Sequence, residues 1–184
     1  MEERLPLFEP EGLDPARREL YDEIIGGPRS RGPQHFALTD ERGALRGPFN
    51  ALLLVPELGR SVQRLGADLR FRTSLSARSR EAAILLVAAH WGCEFERAAH
   101  EAVGRAAGLT EPELRGLAAG EVPDFADRDE RACARLAAAL LDGDVDDREW
   151  RELVEGIGLE RFFELTVLVG YYSMLALQLR VFRV

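Results

Sequence analysis

The sequence predicts an all-α fold, a small helical bundle, and three observations carry that expectation. Helix-start signals recur ahead of apolar runs: Asp14 before Pro15, Thr110 with Glu113, and Asp146 with Glu149. Leucines and alanines follow at helical spacing, and the runs stop at Gly26-Gly27, Gly108 and Asp142-Gly143. No segment alternates apolar and polar residues for long enough to read as a half-buried strand.

Asp14 to Ile25 reads as a short helix, with Asp14 as its cap and Pro15 in the first helical position, where a missing N–H costs nothing. Residues 26–48 are rich in Gly, Pro and Arg without a sustained period and read as a long connection. A second helix is expected from Phe49 to about Arg70, interrupted near Pro56. A third spans about Ala77 to Ala107, with Gly92 as the obvious place for a break. The capping pair Thr110 and Glu113 opens a fourth helix, residues 129–141 form a fifth, and Asp146 with Glu149 opens a sixth. Leu159 to about Val181 is the last. Residues 1–46 are read as an N-terminal helix and arm, and 47–184 as the helical domain.

The 184 residues hold 46% hydrophobic and 30% charged residues, enough apolar side chains for a packed core and too many for disorder. All 24 bases are arginine and face 32 acids, a net charge of −8. A nucleic-acid binder needs a basic face to displace counterions, and none is supplied. An anionic membrane surface is disfavoured for the same reason. Phe162 to Leu179 approaches the length of a membrane span, but Glu164, Thr166, Ser173 and Gln178 within it fit a helix buried in protein. The expected setting is cytoplasmic and reducing: the acidic start has no apolar leader, and two cysteines, Cys93 and Cys133, make no disulfide framework.

The reactive side chains gather in one place. Cys93, Glu96 and His100 stand at i, i+3 and i+7, within an arc of about 60° on one helix face. A thiol, a carboxylate and an imidazole in that order can pass a proton along the stripe, or the imidazole can stabilise a thiolate. The same pattern is also what a buried small residue, a surface carboxylate paired with arginine and a hydrogen-bonded core histidine look like. Glu81 heads the run Ala82 to Ala89 and is a carboxylate at the edge of very apolar sequence, either a helix-start charge or a functional acid. On a straight helix it stands about 18 Å from Cys93 and joins the triple only if the helix breaks at Gly92. No metal is expected, since His90, Glu96 and His100 lack a compact ligand spacing. Asp142, Asp144 and Asp146 resemble the start of a calcium loop, but Asp147 stands where its glycine belongs and Leu153 where its closing glutamate belongs.

The spacing Glu81-x11-Cys93-x2-Glu96-x3-His100 resembles the Glu…Cys-x-x-Cys…His motif of the alkylhydroperoxidase-D and carboxymuconolactone decarboxylase superfamily. Supporting likenesses are Arg78-Ser79-Arg80-Glu81, Gly108-Leu109-Thr110, Gly47-Pro48-Phe49, Pro56-Glu57-Leu58 and Gly170-Tyr171-Tyr172. Glu96 stands where the peroxidase branch has its second cysteine, and Phe95 where that branch has a histidine. The resemblance implies a bundle assembled as a homo-oligomer, trimer or hexamer, and a lyase of the decarboxylase branch that works on a small molecule without a cofactor.

In that reading His100 gives the proton, Glu96 orients it or shares the proton, and Glu81 is the second carboxylate. Arg78 or Arg80 holds a substrate carboxylate, or else is a solvated charge of the first helical turn. His90, Trp91 and Phe95 are candidate lining residues, with core packing as the alternative. The expected substrate is a small carboxylic acid or lactone that is decarboxylated, isomerised or hydrolysed. A second reading is a thiol-dependent hydroperoxide reductase using Cys93 without the usual partner thiol. The third is a non-catalytic helical oligomer.

Overall fold

The computed structural model describes residues 4–27 and 36–184, so residues 28–35 of the long connection lie outside the described residues. Among the described residues there are eight α-helices and no strand, the all-α class that the sequence predicts, with one isolated bridge between Thr39 and Leu45. The chain divides into two compact units. One takes in the residues up to Arg72 together with 178–184, and the other is Thr73–Leu177. Residues 47–72, assigned from sequence to the helical domain, group with the N-terminal unit.

In that N-terminal unit α1 (Pro15–Gly26) starts where expected: the Asp14 carboxylate accepts the Arg17 N–H at 2.9 Å. Its apolar face buries Leu20, Tyr21 and Ile24 in a cluster with Leu45, Phe49, Leu52 and Leu53. The expected interruption near Pro56 separates α2 (Pro48–Leu52) from α3 (Pro56–Phe71).

The second unit is organised around α4 (Ala77–Trp91). Ser76 caps it by accepting the Ser79 N–H at 3.0 Å, and every residue from Glu81 to Ala88 is buried. That run is apolar all round because α5 (Glu94–Ala106), α6 (Glu111–Ala118) and α7 (Arg128–Asp142) each pack against it. The single helix expected over 77–107 is two helices. Gly92 takes the left-handed conformation at φ 60°, ψ 38°, which glycine adopts without a Cβ penalty. The Gly92 and Cys93 N–H groups then turn back to the Ala89 and Ala88 carbonyls, and α5 leaves in a new direction.

The capping box at Thr110 and Glu113 is present, with both reciprocal bonds made. At Asp146 the carboxylate accepts the N–H groups of Arg148 and Glu149, both at 2.8 Å, so the Asp-rich turn is a helix cap. The last element, α8 (Asp147–Phe182), contains Gly158 at φ 82°, ψ 157°, a non-helical residue that makes it two helices in series, the second starting at Leu159 as the sequence predicts. By length and composition α8 could cross a membrane, yet it buries Leu165, Leu168, Tyr172, Leu175 and Ala176 inside the protein.

Candidate functional site

Breaking the helix at Gly92 folds α5 back along α4 and brings Glu81, 19 residues earlier in the chain, onto His100. A Cβ at Gly104, one turn beyond His100, would lie at an ordinary 3.7 Å from Glu81 Cβ and 2.9 Å from Leu109 Cδ1. The Glu81 side chain is fully buried, and its two oxygens are divided between two partners. Oε2 lies 2.7 Å from His100 Nδ1, and Oε1 accepts from Arg80 Nε at 3.2 Å. On the far side of the ring, His100 Nε2 lies 3.3 Å from Glu96 Oε2. The structure thus brings Glu81, Glu96 and His100 into contact, in a line Arg80–Glu81–His100–Glu96.

Burial by itself would push the His100 pKa down. The charge of Glu81 and its hydrogen bond, with those of Glu96 added, outweigh it and raise the pKa to about 9. At neutral pH His100 is therefore an imidazolium, and both ring nitrogens donate, Nδ1–H to Glu81 and Nε2–H to Glu96. Tyr172 of α8 stands against this ring edge to face, centroids 5.2 Å apart with the planes at 89°. It is a site residue that reasoning from spacing missed. The one available signal was the Gly170-Tyr171-Tyr172 likeness, which carried no role.

Cys93 is the N-cap residue of α5, at the end of the Gly92 turn. Burial pushes its thiol pKa up. The N–H groups of Glu96 and Phe95 pull the other way, while the carboxylates of Glu96 and Glu94 add to the rise. It is a thiol at neutral pH. Cys93 also lines a cavity of about 210 Å³ together with Ala88, Ala89, Gly92, Ala118 and the Glu94–Arg97 pair. Cys133 is buried elsewhere and lines a second cavity with Ser79, Asp129 and Arg161.

The remaining sequence candidates fall differently. Arg78 is not at the cluster: its guanidinium donates to Glu113 and Glu130, both at 2.8 Å, and to the Gly108 carbonyl, tying α4 to α6 and α7. Arg80 is at the cluster, engaged by Glu81. His90 is exposed and touches Trp91 edge to face at 5.6 Å. Trp91 and Phe95 are half-buried, and the Trp91 indole nitrogen is buried without a hydrogen-bond partner. Among the described residues no group of three or more His, Cys, Asp or Glu side chains is arranged to hold a metal ion.

Residues 56–139 match the family described as the carboxymuconolactone decarboxylase family. No curated protein matches the chain. A similar solved structure is that of the debrominase Bmp8, an alanine-for-cysteine variant in complex with 2,3,4-tribromopyrrole. The TM-score is 0.70 over 99% of this chain and 92% of that chain, at 13% sequence identity, a likeness that shows the fold.

Proposed function

We infer, from the match of residues 56–139 to the carboxymuconolactone decarboxylase family, that this protein is an acid–base enzyme of that family acting on a small molecule. The observation that carries the reading is the buried His100 ring held between Glu81 at 2.7 Å and Glu96 at 3.3 Å. Glu96 stands where the peroxidase branch keeps a thiol, so the group at the end of the relay exchanges protons and not electrons.

Glu96 is the working group and His100 with Glu81 is the relay behind it. His100 holds one Glu96 oxygen, and the reading assigns the other to the substrate. The Glu96 carboxylate takes a proton from a carbon next to a carbonyl, and the electron pair of that C–H bond delocalises onto the carbonyl oxygen. The same carboxyl group then returns the proton at a second carbon. Tyr172 packs the ring in place, and Arg80 neutralises Glu81 so that the relay ends with its proton on His100.

The second reading, a thiol-dependent hydroperoxide reductase, is favoured by the place of Cys93 at the α5 N-terminus and opposed by the burial and the neighbouring carboxylates that keep it a thiol. One experiment separates the two. A panel of small lactones and unsaturated carbonyl compounds is incubated in D2O, and deuterium uptake and turnover are followed by NMR. A brominated pyrrole joins the panel, because the debrominase of similar fold is seen with 2,3,4-tribromopyrrole. Glu96→Gln should lower the rate on any accepted compound by about 100-fold or more, and Cys93→Ser by far less. The opposite order of losses refutes the acid–base reading. The proposal also includes a homo-oligomer, supported by the exposed Leu159, Phe163 and Leu177 on α8; a monomeric mass in solution removes that part.

A further inference from the structure

The charges around the site select the kind of substrate it takes. Sequence reading nominated Arg78 and Arg80 to hold a substrate carboxylate. Arg78 is engaged by Glu113 and Glu130, and Arg80 by Glu81. Arg97, at the cavity beside Cys93, is engaged by Glu94 and by Glu101 at 3.1 Å. The His100 cation is enclosed between Glu81 and Glu96. Across cluster and cavity the four carboxylates of Glu81, Glu94, Glu96 and Glu101 face the three cations of Arg80, Arg97 and His100. An arriving anion would meet an acidic balance in which each cation already has its counter-charge.

The cavity is also small, and the charge on its lining comes from the Glu94–Arg97 pair. Its volume is about 210 Å³, and Ala88, Ala89, Gly92 and Ala118 supply no charge. Cys93 joins the two parts: it lines the cavity, and as the N-cap of α5 it stands three residues before Glu96 and seven before His100 on the same helix.

We propose that the site admits a small uncharged carbonyl compound through the cavity beside Cys93 and turns carboxylates away. This rests on the acid–base reading and narrows it. Losing carbon dioxide requires a carboxylate in the substrate, so the reaction is a proton shift within an uncharged carbonyl compound. The proton leaves carbon for Glu96, the electron pair moves onto the carbonyl oxygen, and the proton returns at another carbon, with nothing gained or lost overall.

The test uses two reagents of matched size that differ in charge, iodoacetamide and iodoacetate. Both alkylate the same thiolate, so the thiol's own acidity cancels in their ratio. The full chain is treated with each at pH 8.5, and alkylation of Cys93 is followed by peptide mass spectrometry against the urea-unfolded chain. The expected result is a preference for iodoacetamide at least tenfold greater than in the unfolded chain, falling in Glu94→Gln. A ratio equal to that of the unfolded chain, a preference for iodoacetate, or a folded Cys93 that reacts with neither reagent overturns the proposal. The outcome is separate from the fate of the acid–base reading, which is decided by Glu96→Gln and uses no alkylation.

Discussion

Raising the pH from 6 to 9.5 should remove a specific part of this protein's stability, through His100. In the unfolded chain the imidazole has its ordinary pKa of 6.5, and in the folded chain it is held at about 9 by Glu81 and Glu96. Between those values the folded state binds a proton that the unfolded state has released, so stability must fall as pH rises. The contribution is complete below pH 6.5 and gone once pH passes 9. At about 1.4 kcal/mol per pH unit, the full effect is about 3 kcal/mol, a large share of the stability of a domain of this size. The two buried thiols also weaken the fold in alkali, because burial raises both. Their loss begins only above the ordinary thiol value of 9.0, so it follows the His100 window and does not overlap most of it. The assay is urea unfolding at half-unit pH steps, with the His100 ring nitrogens followed by NMR in parallel. Wild type should lose stability steadily from pH 6.5 to 9, and Glu81→Gln should start lower and show a flatter slope. A flat wild-type profile across that window, or a His100 ring that titrates near 6.5, refutes the reasoning.

Two substitutions probe the geometry that makes this pair. Gly104→Ala places a methyl 2.9 Å from Leu109 Cδ1 and 3.4 Å from Leu114 Cδ2 but at an ordinary 3.7 Å from Glu81 Cβ, so only the two leucine ends must shift; it should cost no more than about 1 kcal/mol in urea unfolding and leave the His100 pKa in place. Gly92→Ala has open space around it but must hold φ near 60°, so its cost should be about 1 kcal/mol, with Gly92→Asn costing less.

Local features of the sequence carried far. The caps at Asp14, Thr110 and Asp146 are encoded within four residues of the groups they satisfy, and each is where its spacing puts it. The break at Gly92 was legible because only its flexibility could let Glu81 join Cys93, Glu96 and His100. What stayed hidden depends on long-range packing. Tyr172 meets His100 across 72 residues of chain, and no spacing rule links them. Arg78 and Arg80 look alike two residues apart in the first turn of α4, yet a step of about 200° sends one toward α6 and α7 and the other to Glu81. The unit boundary at Thr73 likewise follows from contacts and not from composition.

The cluster has one more consequence, for how the chain finds its own arrangement. Glu81 is the carboxylate at the head of an apolar helix, and its neutralisation through His100 exists in one register of α5 against α4. Sliding α5 by a single residue moves His100 about 100° around the helix and 1.5 Å along it, which parts its ring from Glu81 while Arg80 stays with Glu81 and Glu96 moves with His100. The slip gives up the buried, charge-assisted hydrogen bond between Glu81 and His100, about 1.5–3 kcal/mol, which an alanine-rich interface does not recover by slipping smoothly past itself. The residues that move protons thereby act as a key between two otherwise featureless helices, and the wrong alignments are rejected by the same chemistry that serves the right one.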